Sequence, residues 1–153
     1  MRRAAIALVL SLTLAACHKE AKVRQISVEN VWVRLNAVPG RPGAAYFTIT
    51  GGSIPDKLIQ VSANQVATIE LHEGGKMNGM MTMKPIASVD IPADTAVRFQ
   101  PGGNHAMLFG VEPKVQPGTK LFVSFKFATL RTFVVAAPVV GAADPAPEGS
   151  GEE

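Results

Sequence analysis

Four residues of this chain carry side chains that a soft metal ion would select: His72, Met83, His105 and Met107. Five of its six methionines (Met77, Met80, Met81, Met83 and Met107) fall in one window that His72 and His105 nearly bracket. A core usually spreads its methionines among its strands as gap fillers. Here the segments outside the window use Val, Ile, Leu and Phe instead. Thioether and imidazole donors suit copper(I), a soft ion. In an oxidising compartment free thiols are lost to disulfides, whereas thioethers keep their donor atom. Methionine also binds without losing a proton, so acid would release such a metal mainly through its histidines.

The start of the chain points to that compartment. Met1-Arg2-Arg3 precedes an apolar run from Ala4 to Ala16, the pattern of a secretory signal and too short for a permanent span. It ends Leu14-Ala15-Ala16-Cys17, which resembles a bacterial lipobox, so Cys17 is expected to be lipidated and to become the mature first residue. Cys17 is the only cysteine, so the domain beyond it holds no disulfide, no cysteine zinc site and no thiolate copper site. Residues 1–16 are read as the signal and 17–25 as the lipidated cysteine with a polar tether. The periplasm is the expected location. His18 is not the aspartate linked to inner-membrane retention, which favours the outer membrane in a cell with two. The formal charge of +3 falls by the two arginines that leave with the signal. No basic patch interleaved with aromatics occurs, so nucleic acid is not an expected partner.

The elements that must position the donors read as strands. Alternating or short apolar runs cover Val31–Leu35, Ala45–Ile49, Leu58–Val61, Val66–Leu71, Thr95–Phe99, His105–Val111, Leu121–Phe127 and Thr132–Ala136. Gly and Pro punctuate them at Pro39-Gly40, Pro42-Gly43, Gly51-Gly52, Gly74-Gly75, Pro101-Gly102-Gly103 and Pro117-Gly118. No segment sustains a helical period, so residues 26–140 are expected to form an all-β antiparallel sandwich or barrel. Residues 141–153, small, acidic and rich in Pro and Gly, read as a disordered tail.

Within this frame His105 and Met107, two apart at the start of a strand, face one side and can share an ion. Met81 and Met83 likewise share a face, with Met80 and Thr82 on the other. His72 is expected to end the strand Ile69–His72. Met77 reads as an exposed turn residue. Met80 and Met81 stay open between core, rim of the site and secondary metal contact.

The order His72, ten residues, Met83, twenty-one residues, His105, one residue, Met107 resembles the signature of the periplasmic copper chaperone family PCuAC. The flanks Leu71-His72-Glu73, Gly79-Met80-Met81-Thr82-Met83-Lys84-Pro85, Pro101-Gly102-Gly103-Asn104-His105-Ala106-Met107-Leu108 and Ala44-Ala45-Tyr46-Phe47-Thr48-Ile49 are similar to it as well. The likeness covers about Val31 to Val139. It implies a cupredoxin-like Greek-key β-sandwich holding one copper(I) on His72, Met83, His105 and Met107. It implies delivery to the binuclear copper centre of cytochrome c oxidase, directly or with a Sco-type thiol protein. The tail lacks the His and Met that bind a second copper in some members. A monomer is expected.

Three other functions compete. A blue-copper electron carrier needs a thiolate the domain lacks. A periplasmic copper buffer would use the same four donors without delivery. A hydrolytic enzyme finds no nucleophile elbow, phosphate loop or paired-carboxylate motif. Glu70 and Glu73 flank His72, but zinc sites use Cys, His and carboxylate rather than methionine. The chain is therefore read as a carrier and not an enzyme.

Overall fold

Apolar–polar alternation builds ten strands, and no helix occurs among the described residues, which in this computed structural model are 23–150. The signal segment, Cys17 and His18 lie outside them. The strands are β1 (Ser27–Arg34), β2 (Gly43–Thr50), β3 (Asp56–Ser62), β4 (Val66–Met77), β5 (Met80–Ile86), β6 (Val89–Ile91), β7 (Ala96–Phe99), β8 (His105–Val111), β9 (Lys120–Phe127) and β10 (Thr132–Val140). All eight runs legible in the sequence are strands. β5 and β6 are additional: β5 is polar or exposed at nearly every position, so it offers no alternation to read.

The strands hydrogen-bond in the order β5-β4-β8-β2-β1-β10-β9-β3-β6, with β7 also against β2. β8 inserts between β4 and β2, strands far from it in sequence. One pair departs from the antiparallel expectation. β10 runs parallel to β1 through Val33↔Val139 and Arg34↔Val140, because the last strand enters beside the first in the same direction. The path closes over a core drawn from both halves. Phe47 of β2 meets Phe125 of β9 edge-on at 4.8 Å and stacks on Phe99 of β7 at 4.2 Å. Ala45, Ile49, Leu58, Leu108, Leu121 and Val123 fill the rest without exposure.

Near the entry to the domain, Asp56 fastens the β9–β10 loop. Its carboxylate accepts from the Thr129 hydroxyl and from the backbone N–H of Thr129 and Lys57. Partial burial pushes this carboxyl up. The bonds from Thr129 and Lys57, with Arg131 nearby, outweigh that and hold it below the ordinary aspartate value. A depressed carboxyl stabilises the fold above the unfolded-state value, and the contribution is lost as pH falls through the folded one. Asp56→Ala should therefore cost about 1 kcal/mol or less at neutral pH. In urea melts run from pH 7 down to pH 3, the gap to the parent should close towards the acid end.

The segment read as a disordered tail is fastened at its start. Arg34 Nη1 donates to the carbonyls of Ala142 (3.1 Å) and Asp144 (2.7 Å), and the Gly141 N–H donates to Asp144 Oδ2. Arg34 in turn lies over the Trp32 ring at 4.9 Å, and Trp32 packs on Tyr46 at 4.6 Å. Composition could not reveal this docking, because its acceptors are backbone carbonyls.

Candidate metal centre

Register places the expected donors on one face of the sheet. His72 of β4 pairs directly with His105 of β8, and Glu70 pairs with Met107. Directly opposed residues, and residues two apart on a strand, point the same way. Glu70, His72, His105 and Met107 therefore share a face, while Leu71, Ala106 and Leu108 point into the core. On the other side of β4, Met83 opposes Gly74 and Met81 opposes Lys76, which sets both thioethers on that same face. Met107 also opposes Ala44 of β2, and Ala44 opposes Arg34 of β1.

A glycine explains how Met83 can reach the rest. Gly74 lies between Met83 and the Pro101–Asn104 loop, and a Cβ there would sit 2.2 Å from the Gly103 carbonyl oxygen. The loop crosses β4 only because Gly74 has no side chain. Gly74-Gly75 is thus not the turn that the sequence suggested but lies within β4, which continues past His72 to Met77. The turn is Asn78-Gly79, with φ of 53° and 80°, the two positive values of a type I′ hairpin. The Asn-Gly pair is the sequence signal that would have revealed both the hairpin and β5.

An open cavity of about 470 Å³ occupies this face. Met81, Met83, His105 and Met107 line it together with Leu35, Pro42, Ala44, Tyr46 and Ala142. His72 is not on the cavity wall. It lies beside it, its ring stacked on that of His105 with centroids 5.6 Å apart and planes 22° from parallel. Each histidine is 9% exposed, whereas Met83 is 63% exposed. Of the residues left open, Met81 (54% exposed) lies on the cavity wall, while Met80 and Met77 project from the opposite face of the hairpin.

The hydrogen bonds leave one nitrogen of each ring available. His105 Nδ1 is 2.9 Å from the Gly103 carbonyl, which only accepts, so the proton is on Nδ1 and the Nε2 lone pair is free. His72 Nε2 is 3.2 Å from Glu70 Oε2, and donating to that oxygen leaves Nδ1 as the acceptor nitrogen of the ring. His72 Nδ1 is then a buried acceptor, and it has no partner. Such an atom costs about 1–3 kcal/mol unless something occupies it. Carbonyl and carboxylate partners of this kind fix the tautomer of metal-binding histidines. The residues present therefore fit a soft ion. Among the described residues no three His, Cys, Asp or Glu gather as a harder ion would require. The sequence shows Glu70 flanking His72 but not the hydrogen bond between them, nor the Trp32–Tyr46–Arg34 stack beside the cavity.

The fold is cupredoxin-like and all-β, and the solved structures similar to it are PCuAC domains. The copper-bound PCuAC domain from PmoF2 matches with a TM-score of 0.63 at 20% identity, over 78% of this chain and 95% of that one. Apo-DR1885 from Deinococcus radiodurans matches with a TM-score of 0.58 at 24% identity, over 94% and 98%. The copper(I) form of DR1885 matches with a TM-score of 0.54 at 29% identity, over 84% and 85%. The chain itself belongs to the family described as "Putative lipoprotein LpqE-like", whose pattern matches residues 26–139. A relative named "Putative lipoprotein Lxx21020", from Leifsonia xyli subsp. xyli, is 30% identical over 141 residues, 87% of this chain and 84% of that protein.

Proposed function

We propose that this protein is a lipid-anchored copper(I) chaperone outside the cytoplasm, holding one ion at His72, Met83, His105 and Met107. It would pass that ion to the binuclear copper centre of cytochrome c oxidase, directly or through a Sco-type thiol protein. The observation that carries this is the gathering of two imidazoles, each with an unpartnered ring nitrogen, and two thioethers on one sheet face beside an open cavity. The copper-bound domains of the same fold support it. Exposure favours transfer over storage: an incoming thiol or thioether can reach Met83 without the domain opening.

β1 leads from Ser27 to Arg34 at the cavity, and the seven steps of this eight-residue strand span about 23 Å. No partner binding nucleic acid is implied, and the reading needs no catalysis.

Deleting the gene tests the reading. Under copper limitation the oxidase should lose its binuclear copper signal, and copper supplementation or the intact gene should restore it. Normal oxidase with reduced copper tolerance would instead identify a buffer and overturn delivery.

A further inference from the structure

Two methionines stay outside the cluster just described, and their placement is specific. Met77 and Met80 flank the Asn78-Gly79 turn as directly opposed residues. Their side chains therefore leave the same face of the hairpin, the one opposite Met81 and Met83. They are 62% and 69% exposed, among the most exposed large apolar side chains of the domain. Beyond His72 the strand β4 pairs only with β5, so the hairpin tip has no third strand beside it. The neighbouring pair on the Met77 face is Gly75 and Thr82, which is uncharged and leaves space on the glycine side.

Exposed methionine is a liability in an oxidising compartment, since the sulfoxide forms readily and is polar. Leucine or threonine would build the same hairpin without it. Opposed residues in a hydrogen-bonded pair have Cα atoms about 5.5 Å apart. A two-coordinate ion with bonds of about 2.3 Å needs its sulfurs about 4.6 Å apart, which two flexible thioethers on such a scaffold can provide.

We infer that Met77 and Met80 form a second, weaker copper(I) site at the tip of the hairpin, an entry point through which ions reach the Met81 and Met83 face. Two neutral donors bind copper(I) less tightly than two thioethers with two imidazoles, so the tip fills after the main site and releases first. Met81, exposed and on the cavity wall, is the next donor along the same ribbon. The inference rests on copper(I) as the cargo, but the residues differ from those of the main site.

The test is an anaerobic copper(I) titration of the mature chain, labelled with ¹³C at the methionine methyls and assigned by single Met→Leu variants. The methyls of Met83 and Met107 should shift with the first equivalent and those of Met77 and Met80 with the second. In Met77→Leu/Met80→Leu the second event should vanish with the first unchanged, and loading from a copper(I)–glutathione donor should slow. Shifts confined to Met83 and Met107 would overturn the tip site and leave the main one standing. Shifts confined to Met77 and Met80 would support the tip and sink the main site. Silence at all four would end both. If the leucine variant kept its second equivalent, the tip assignment would also fail.

Discussion

Replacing Met83 and Met107 together by leucine should lower copper(I) affinity on the order of 100-fold or more while leaving the apo protein folded. Losing even an outer-shell partner of a metal ligand costs about 10–100-fold, and here two of four donors go at once. Leucine matches methionine in volume, and such swaps cost less than about 1.5 kcal/mol even in a core. Met83 is mostly exposed and Met107 half-buried, so the melting temperature should barely move. Affinity is read by competition with a chromophoric copper(I) chelator under anaerobic conditions. Quenching of Trp32, the single tryptophan, offers a second readout, since it packs on Tyr46 at the cavity wall. Histidine variants would make a less clean test. His72 and His105 are buried and paired across two strands, so alanine there would disturb β4 and β8 as well as the ion. If the double leucine variant held copper(I) as the parent does, the thioethers would not be ligands and the site would lie elsewhere.

Much of this architecture was legible in the chain because period-2 burial writes itself into composition. β2 alternates buried and half-buried residues without a break, and β9 nearly so. His105 and Met107 could be placed on one face from their spacing alone. The Met83 side of the site was harder. β5 is exposed on both faces, so hydrophobicity gives its register no anchor, and only the turn at Asn78-Gly79 fixes which methionine opposes which residue. The partnership of His72 with His105 is a long-range pairing, and no local pattern encodes it. Nor could spacing show that Arg34 clamps the backbone of Ala142 and Asp144 beside the cavity. The same limit explains Asn30, whose φ of 54° accompanies a register shift between Glu29 and Trp32. Past that bulge Trp32 opposes Tyr46 while Val33 opposes the buried Ala45, so the alternation legible from Val31 onward holds only beyond the shift.

Gly74→Ala should damage both the fold and the site, and its neighbour supplies the control. At Gly74 an added Cβ would meet the Gly103 oxygen at 2.2 Å and the Gly103 carbon at 2.7 Å, and both are backbone atoms that cannot rotate away. The Pro101–Asn104 loop must lift, at the cost of about 1–3 kcal/mol typical of overpacking. A melting temperature falls by about 4 °C for each kcal/mol lost in a domain of this size. The same Gly103 carbonyl accepts from His105 Nδ1, so lifting it frees the ring and unfixes its tautomer. Copper(I) affinity should drop by about 10-fold or more, although no ligand has changed. At Gly75 the added Cβ meets only the Thr82 hydroxyl, at 3.4 Å, an ordinary contact. Gly75→Ala should therefore melt at or slightly above the parent, since alanine loses less chain entropy than glycine in a strand. Calorimetry of the two variants, with the chelator competition run on each, separates a loop seated on β4 from one merely near it. If Gly74→Ala matched Gly75→Ala in both measurements, the loop would not rest on the strand, and His105 would owe its orientation to its neighbour His72 alone.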